Sequence, residues 1–165
     1  MKLAVYPGSF DPITYGHLDI VNRSLEIFDK IYIAIAINSS KKTLFTLEER
    51  KELIEKIIQS KKEFQNKVEV VVFRNLLVKF AQEVKAKAII RGIRAITDFE
   101  YEHAIYQVNR ELAPDIDTIF LMASKEFSYI SSSIIKEVAM YGKILENYAP
   151  PEVNEALLKK YGYIK

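Results

Sequence analysis

Apolar residues fall along this chain in two alternating rhythms. Short, nearly unbroken runs at Leu3–Tyr6, Ile31–Ile37, Val68–Phe73, Ala88–Ile90 and Thr118–Met122 predict β-strands. The second reads Ile-Tyr-Ile-Ala-Ile-Ala-Ile, too continuously apolar for a half-solvated strand, so it is expected inside the sheet with both faces covered. Between the runs, apolar positions recur every third or fourth residue. Leu18, Val21, Leu25 and Phe28 share one face of a helix, with Asp19, Asn22, Arg23 and Glu26 on the wet side. Thr46-Leu47-Glu48-Glu49 has the form of a capping box opening a helix that carries Leu53, Ile54, Ile57 and Ile58. Further helices are predicted over Leu76–Val84, from a second capping pattern at Thr97-Asp98-Phe99-Glu100 to about Leu112, over Ser131–Tyr141 with Gly142 as its stop, and from Glu152 to Tyr161 after Pro150-Pro151. Strands alternating with helices predict an α/β fold: a Rossmann-like, doubly wound, mostly parallel five-stranded sheet with helices on both faces. With no internal repeat or linker, the 165 residues are expected to form a single domain.

Composition narrows the classes. The chain is 49% hydrophobic and 28% charged, the balance of a folded globule. Its 24 basic and 22 acidic residues leave a net charge of +2, which gives no bulk attraction to nucleic acid. Zero cysteines exclude disulfides, thiolate metal sites and a cysteine nucleophile. No apolar run approaches the roughly 20 residues that span a bilayer, and the start lacks the regions of a signal peptide. A cytoplasmic location, with no membrane partner, is the resulting expectation.

The unusual residues lie where the predicted strands end. The first strand runs into Pro7-Gly8-Ser9-Phe10-Asp11-Pro12, then Thr14-Tyr15-Gly16-His17 at a helix start. After the second comes Asn38-Ser39-Ser40-Lys41-Lys42, after the fourth Arg91-Gly92-Ile93-Arg94, and after the fifth Ser124 to Ser133. In a doubly wound sheet, ligands bind beyond the carboxyl ends of the strands, and helix N-termini attract phosphate through free N–H groups and the dipole. Loops rich in glycine, hydroxyls and cations on one sheet edge point to a nucleotide site.

Gly8-Ser9-Phe10-Asp11-Pro12 with Thr14-x-Gly16-His17 resembles the signature of the nucleotidylyltransferase superfamily, and Ile130-Ser131-Ser132-Ser133 resembles its second motif. Ser39-Ser40-Lys41-Lys42, Arg91-Gly92-Ile93-Arg94-Ala95, Asp98-Phe99-Glu100-Tyr101-Glu102 and the run from Ser124 to Ser133 extend the likeness, over Met1 to about Tyr161, to the bacterial phosphopantetheine adenylyltransferase family. That resemblance implies transfer of AMP from ATP to 4'-phosphopantetheine, giving dephospho-coenzyme A and pyrophosphate, with Mg²⁺ accompanying ATP. It also implies a homohexamer, and coenzyme A shares the acceptor's pantetheine moiety and is expected as a feedback inhibitor. The acceptor phosphate, with a second pKa of about 6, is already ionised, so no general base is required.

Carried over on the same motifs, His17 stabilises the transition state and binds ATP. Ser9 contacts both substrates, Phe10 contributes its backbone to ATP binding, and Lys41, Leu77 and Arg91 hold the acceptor. Gly92, Ile93, Arg94, Glu102, Phe127, Ser128, Tyr129, Ile130, Ser131, Ser132 and Ser133 match ATP-binding positions. Phe127 stands where tryptophan is common and keeps a flat wall. The residues themselves leave other readings open. Arg91 and Arg94 could be salt-bridged to Asp98 or Glu100, Glu102 could be an exposed helix carboxylate, and the serines could cap a helix. Lys42 suits a solvated loop, and His103 a surface or an interface. Activity on another small phosphate acceptor, or nucleotide binding without catalysis, are the alternatives to the implied reaction.

Overall fold

The computed structural model describes residues 1–37 and 42–165. Five strands, β1 (Leu3–Gly8), β2 (Lys30–Ala36), β3 (Val68–Phe73), β4 (Ala88–Ile93) and β5 (Asp117–Met122), form one sheet of order β3-β2-β1-β4-β5. Every pairing is parallel. Among the described residues six α-helices connect and cover them: α1 (Tyr15–Ser24), α2 (Leu47–Ser60), α3 (Leu77–Glu83), α4 (Ile96–Leu112), α5 (Ser132–Met140) and α6 (Pro151–Lys160).

The order doubles back after β3, so the chain crosses to the far side of β1 to lay down β4. Strand alternation then splits the core into two layers. Ala4, Tyr6, Ile31, Ile33 and Ile35 face α1, α2, α5 and α6, while Val5, Ala34 and Ile89 face α3 and the end of α4. β2 is interior and covered on both faces, as its unbroken apolar run predicts. The reversal of strand order falls between β1 and β4, and it is there that a crevice opens at the strands' carboxyl ends.

Two local expectations are corrected. β4 continues through Arg91, Gly92 and Ile93, because Phe120, Leu121 and Met122 of β5 pair with them; the polar break in the apolar run does not end the strand. α4 begins earlier than its Thr97 pattern suggests. Its N-cap is Ala95, with no side-chain cap, and the Asp98 carboxylate instead accepts the Arg94 N–H at 3.1 Å. By contrast Thr46 and Glu49 form the predicted capping box, and Gly142 ends α5 at φ +73°. α4 has no buried residue over its whole length. Among the described residues no helix is long and apolar enough to cross a membrane.

Candidate active site

The Gly8–Pro12 turn leaves β1 at the sheet's centre and is fastened from three directions. Phe10 takes a left-handed φ of +46°, a conformation that costs a non-glycine residue about 1 kcal/mol or more. Its side chain is 2% exposed, and burial of that ring offsets the strain. Gly8 makes room for it, since a Cβ there would meet the Phe10 ring at 2.9 Å. From α2, the buried Arg50 donates to the Ser9 carbonyl at 2.5 Å and to the Thr46 carbonyl at 3.2 Å. The Asp11 carboxylate accepts the N–H groups of Leu44 and Phe45, both at 2.9 Å, and Lys136 Nζ of α5 at 2.7 Å. Burial pushes the Asp11 carboxyl up, but those three donors outweigh it and hold the group below its ordinary value. The Ser132 hydroxyl closes the frame by donating to the Pro12 carbonyl at 2.8 Å.

His17 has a structural task and keeps a free nitrogen. The Thr14 N–H donates to His17 Nδ1 at 3.0 Å, and the His17 N–H donates to Thr14 Oγ1 at 3.4 Å, a capping box with histidine in place of the usual glutamate or glutamine. Nδ1 therefore accepts, which places the proton of the neutral ring on Nε2. Burial, with a smaller push from the Arg94 charge, lowers the imidazole pKa to about 4. Near neutral pH His17 is an uncharged Nε2–H donor, edge-on to Phe10 at 5.2 Å between ring centroids.

Gly8, Ser9, Phe10, Thr14 and His17 border a cavity of about 610 Å³. The N-termini of α1 (Thr14, Gly16, His17) and α5 (Ser131, Ser132, Ser133) both open into it, so two positive dipole ends share one space. A second cavity of about 310 Å³ opens on the other side of the β1 end and has an apolar wall that includes Phe73, Leu77, Ile105 and Tyr106. Pro7, Gly8, Ser9, Arg91, Tyr101 and Glu102 border both cavities.

Arg91 stands at this junction already engaged. Its Nε donates to Glu102 at 2.7 Å, Nη2 pairs with the other Glu102 oxygen, and Nη1 donates to the Pro7 carbonyl at 3.2 Å. Neither Asp98 nor Glu100 is its partner, and Glu102 is not a free surface carboxylate. Arg94 does pair with Asp98, at 3.4 Å in an exposed position, so the salt-bridge reading holds for Arg94 and fails, in its choice of partner, for Arg91.

A cytidylyltransferase-like family profile matches residues 5–138. Over 160 residues the chain is 49% identical to a phosphopantetheine adenylyltransferase from Leptospira biflexa, covering 97% of this chain and 98% of that protein. A Moorella thermoacetica protein of the same name is 48% identical over 164 residues, 99% of this chain and 100% of that one. The chain belongs to the phosphopantetheine adenylyltransferase family. The fold extends further. A putative nicotinate-nucleotide adenylyltransferase from Vibrio parahaemolyticus superposes with a TM-score of 0.71 at 20% identity, over 98% of this chain and 97% of that one. The Plasmodium falciparum nicotinic acid mononucleotide adenylyltransferase does so at 0.71 and 18%, with the same coverages.

Of the residues that the motifs of this phosphopantetheine adenylyltransferase family member single out, Ser9, Phe10, His17, Arg91, Gly92, Arg94, Glu102, Phe127 and the run Ile130 to Ser133 border the larger cavity. Leu77 borders the smaller one. Ile93 is buried in the core, Tyr129 is 83% exposed, and the Ser128 hydroxyl donates to the Lys125 carbonyl at 3.0 Å. None of these three borders either cavity. Lys41 lies outside the described residues. Ser131 caps α5 by accepting the Ile134 N–H at 3.3 Å, so two of the three serines carry structural bonds and Ser133 is the one without a side-chain partner among the described residues. The sequence assigns no site role to Arg50, Asp11 or Lys136, nor to Tyr6, Tyr101, Ile105 or Asn109. The first three act on the turn across 41, 33 and 125 residues of sequence, a separation that no local motif records.

Proposed function

We propose that this protein transfers AMP from ATP to 4'-phosphopantetheine in coenzyme A biosynthesis, releasing dephospho-coenzyme A and pyrophosphate. The observation that carries the reading is the pair of cavities meeting at Ser9 and Arg91, one beneath two helix N-termini and the other with an apolar wall. ATP takes the larger, with Ser9, Phe10, His17, Gly92, Arg94, Glu102, Phe127 and the run Ile130 to Ser133 as its surroundings, while Ile93, Ser128 and Tyr129 stand back from it. The pantetheine arm takes the smaller, along Leu77, and its phosphate sits at the junction near Ser9 and Arg91, with Lys41 as a further cation.

An oxygen of the acceptor phosphate attacks the α-phosphorus in line. The new P–O bond forms as the bond to the β-phosphate bridge breaks, and the electron pair leaves with pyrophosphate, without a covalent enzyme intermediate. The nucleophile is ionised before it arrives, so the site's task is alignment and stabilisation of spreading negative charge. His17 suits that task as a donor: Nδ1 is occupied by the helix cap, and Nε2–H can point at the α-phosphate oxygens. Ser9 reaches both substrates from the junction. Both Glu102 oxygens now hold the Arg91 guanidinium, so that carboxylate and the incoming phosphate compete for its charge.

Mg²⁺ enters as part of the Mg–ATP substrate, held through phosphate oxygens and water. Among the described residues no group of three or more His, Cys, Asp or Glu side chains could hold a metal. The same reading includes a homohexamer, supported by the unburied α4, where Ile96 is 80% and Tyr101 70% exposed. Coenzyme A is a feedback inhibitor through the pantetheine moiety it shares with the acceptor, and the location is cytoplasmic. Pyrophosphate release tests the reaction: ATP and Mg²⁺ are offered with phosphopantetheine, nicotinate mononucleotide or glycerol 3-phosphate in turn. Release with phosphopantetheine is expected. No release with it, or faster release with another acceptor, overturns the reading. Light scattering tests the assembly.

A further inference from the structure

The groups assigned above reach the larger cavity from loops, helix ends and strand ends; Tyr6 reaches it from inside β1. The side chain is only 5% exposed and its ring is fixed, edge-on to Phe10 at 5.4 Å between centroids and tilted against His17 at 6.5 Å. Among the described residues nothing hydrogen-bonds its hydroxyl. Nor is the hydroxyl sealed away, since the one fully enclosed side-chain polar atom lacking a partner there is Asn154 Oδ1. The opening is at Gly92. A Cβ at that position would lie 3.6 Å from the Tyr6 hydroxyl and 3.3 Å from Ile20 Cγ1. With only hydrogen there, a notch between Ile20 and Gly92 leads from the cavity to the phenol oxygen.

The notch selects for chemistry. An interior hydroxyl without a partner is destabilising, and phenylalanine would fill the same space without that penalty. Burial raises the phenol pKa well above its usual value, although the Arg91 and Arg94 charges pull the other way. The hydroxyl thus stays protonated and can donate. A donor facing a cavity bordered by two helix N-termini suits an anionic oxygen rather than a neutral one.

We propose that the Tyr6 hydroxyl donates a hydrogen bond to a phosphate oxygen of the bound nucleotide at the Gly92 notch, beside His17. This rests on the larger cavity being the nucleotide site. Tyr6 is then a further substrate-contacting residue, placed by the sheet's central strand and therefore held more rigidly than a loop donor.

Tyr6→Phe tests it, because only the oxygen is lost. Titration calorimetry with ATP, AMP and adenosine, steady-state kinetics and a thermal melt are run on both proteins. The expected result is an about tenfold loss in AMP and ATP affinity or in kcat, as for a hydrogen bond to a charged group. Adenosine binding is expected to stay unchanged and Tm to stay equal or rise. Unchanged nucleotide affinity and kcat overturn the proposal. So does an equal loss for adenosine, which moves the contact off the phosphates, and so does a Tm that falls with the activity, which marks the hydroxyl as structural. Wild-type protein that binds neither ATP nor AMP removes the nucleotide-site reading itself; wild-type binding matched by Tyr6→Phe removes only this inference.

Discussion

Replacing His17 with glutamine separates the two jobs that one imidazole performs. Glutamine is a normal capping-box partner of Thr14, so the bond now made by Nδ1 to the Thr14 N–H at 3.0 Å can be re-formed by an amide oxygen. Stability at pH 7 is therefore expected to change by less than about 1 kcal/mol. Loss of the Nε2–H donor is expected to lower kcat by about 10²–10³-fold, as for removal of one preorganised donor to a developing oxyanion. The pH dependence isolates the titration. Folded His17 stays neutral down to about 4, whereas the unfolded side chain takes a proton from its ordinary 6.5. Between those values only the unfolded chain gains a proton. The histidine's contribution is fully present above 6.5 and is lost as pH falls toward 4. At about 1.36 kcal/mol per unit the ceiling is about 3 kcal/mol; because the ring borders an open cavity, solvent screening reduces this to about 1–2 kcal/mol. Urea denaturation of both proteins at steps from pH 7 to 4.5 measures the difference, in which the titrations of the carboxylates cancel. The wild type should lose about 1–2 kcal/mol more than the glutamine variant over that range. Parallel stability curves, or a His17 resonance titrating near 6.5, would refute the argument.

Three other perturbations probe the frame. Glu102→Gln weakens the grip on Arg91 and should strengthen binding of phosphopantetheine alone by about 3–10-fold while weakening ATP; calorimetry showing weaker acceptor binding would mean that Glu102 does not compete for Arg91. Asp11→Asn removes the charge of a partly buried ion pair with Lys136 and leaves an oxygen for only one of the two backbone N–H groups, so equilibrium unfolding at pH 7 should register a loss of about 2–3 kcal/mol. Because the Asp11 carboxyl is held below its usual value, that difference should shrink as acid protonates the wild-type group; a loss under 0.5 kcal/mol, on the scale expected of an ordinary surface change, contradicts the assignment. Arg50→Met releases the Ser9 carbonyl while keeping the bulk, and should cut kcat by more than about tenfold as the Ser9–Phe10 turn relaxes; full turnover would show that the turn holds without it.

Much of the architecture could be read from local pattern. The five apolar runs mark the five strands, most clearly in β1 and β2, where cover on both faces demands unbroken apolar sequence. The Thr46–Glu49 capping box and the Gly142 stop are satisfied within a few residues, so neither waits on the rest of the fold. The misses share one cause. Arg91 and Gly92 look like loop, yet they are strand because β5 pairs with them. Thr97 looks like an N-cap, yet Asp98 takes up the Arg94 N–H instead. The signature from Gly8 to His17 marks the site, since its glycine, hydroxyl and imidazole lie close together in the chain. Arg50 and Lys136 reach the same turn from α2 and α5, and nothing in their own surroundings in sequence distinguishes them from other helix cations.

By itself, the sequence determined the alternation of strand and helix, the sheet edge that carries the chemistry and the family to which the chain belongs. Each of these is written in neighbouring residues, through periodicity, turn chemistry and contiguous motifs. The tertiary structure alone decided the charge and the proton positions. It gave Arg91 to Glu102, turned His17 Nε2 into the donor by occupying Nδ1, and left the Tyr6 hydroxyl open at Gly92. Those outcomes depend on burial and on which distant group arrives within about 3 Å, the range over which a hydrogen bond forms.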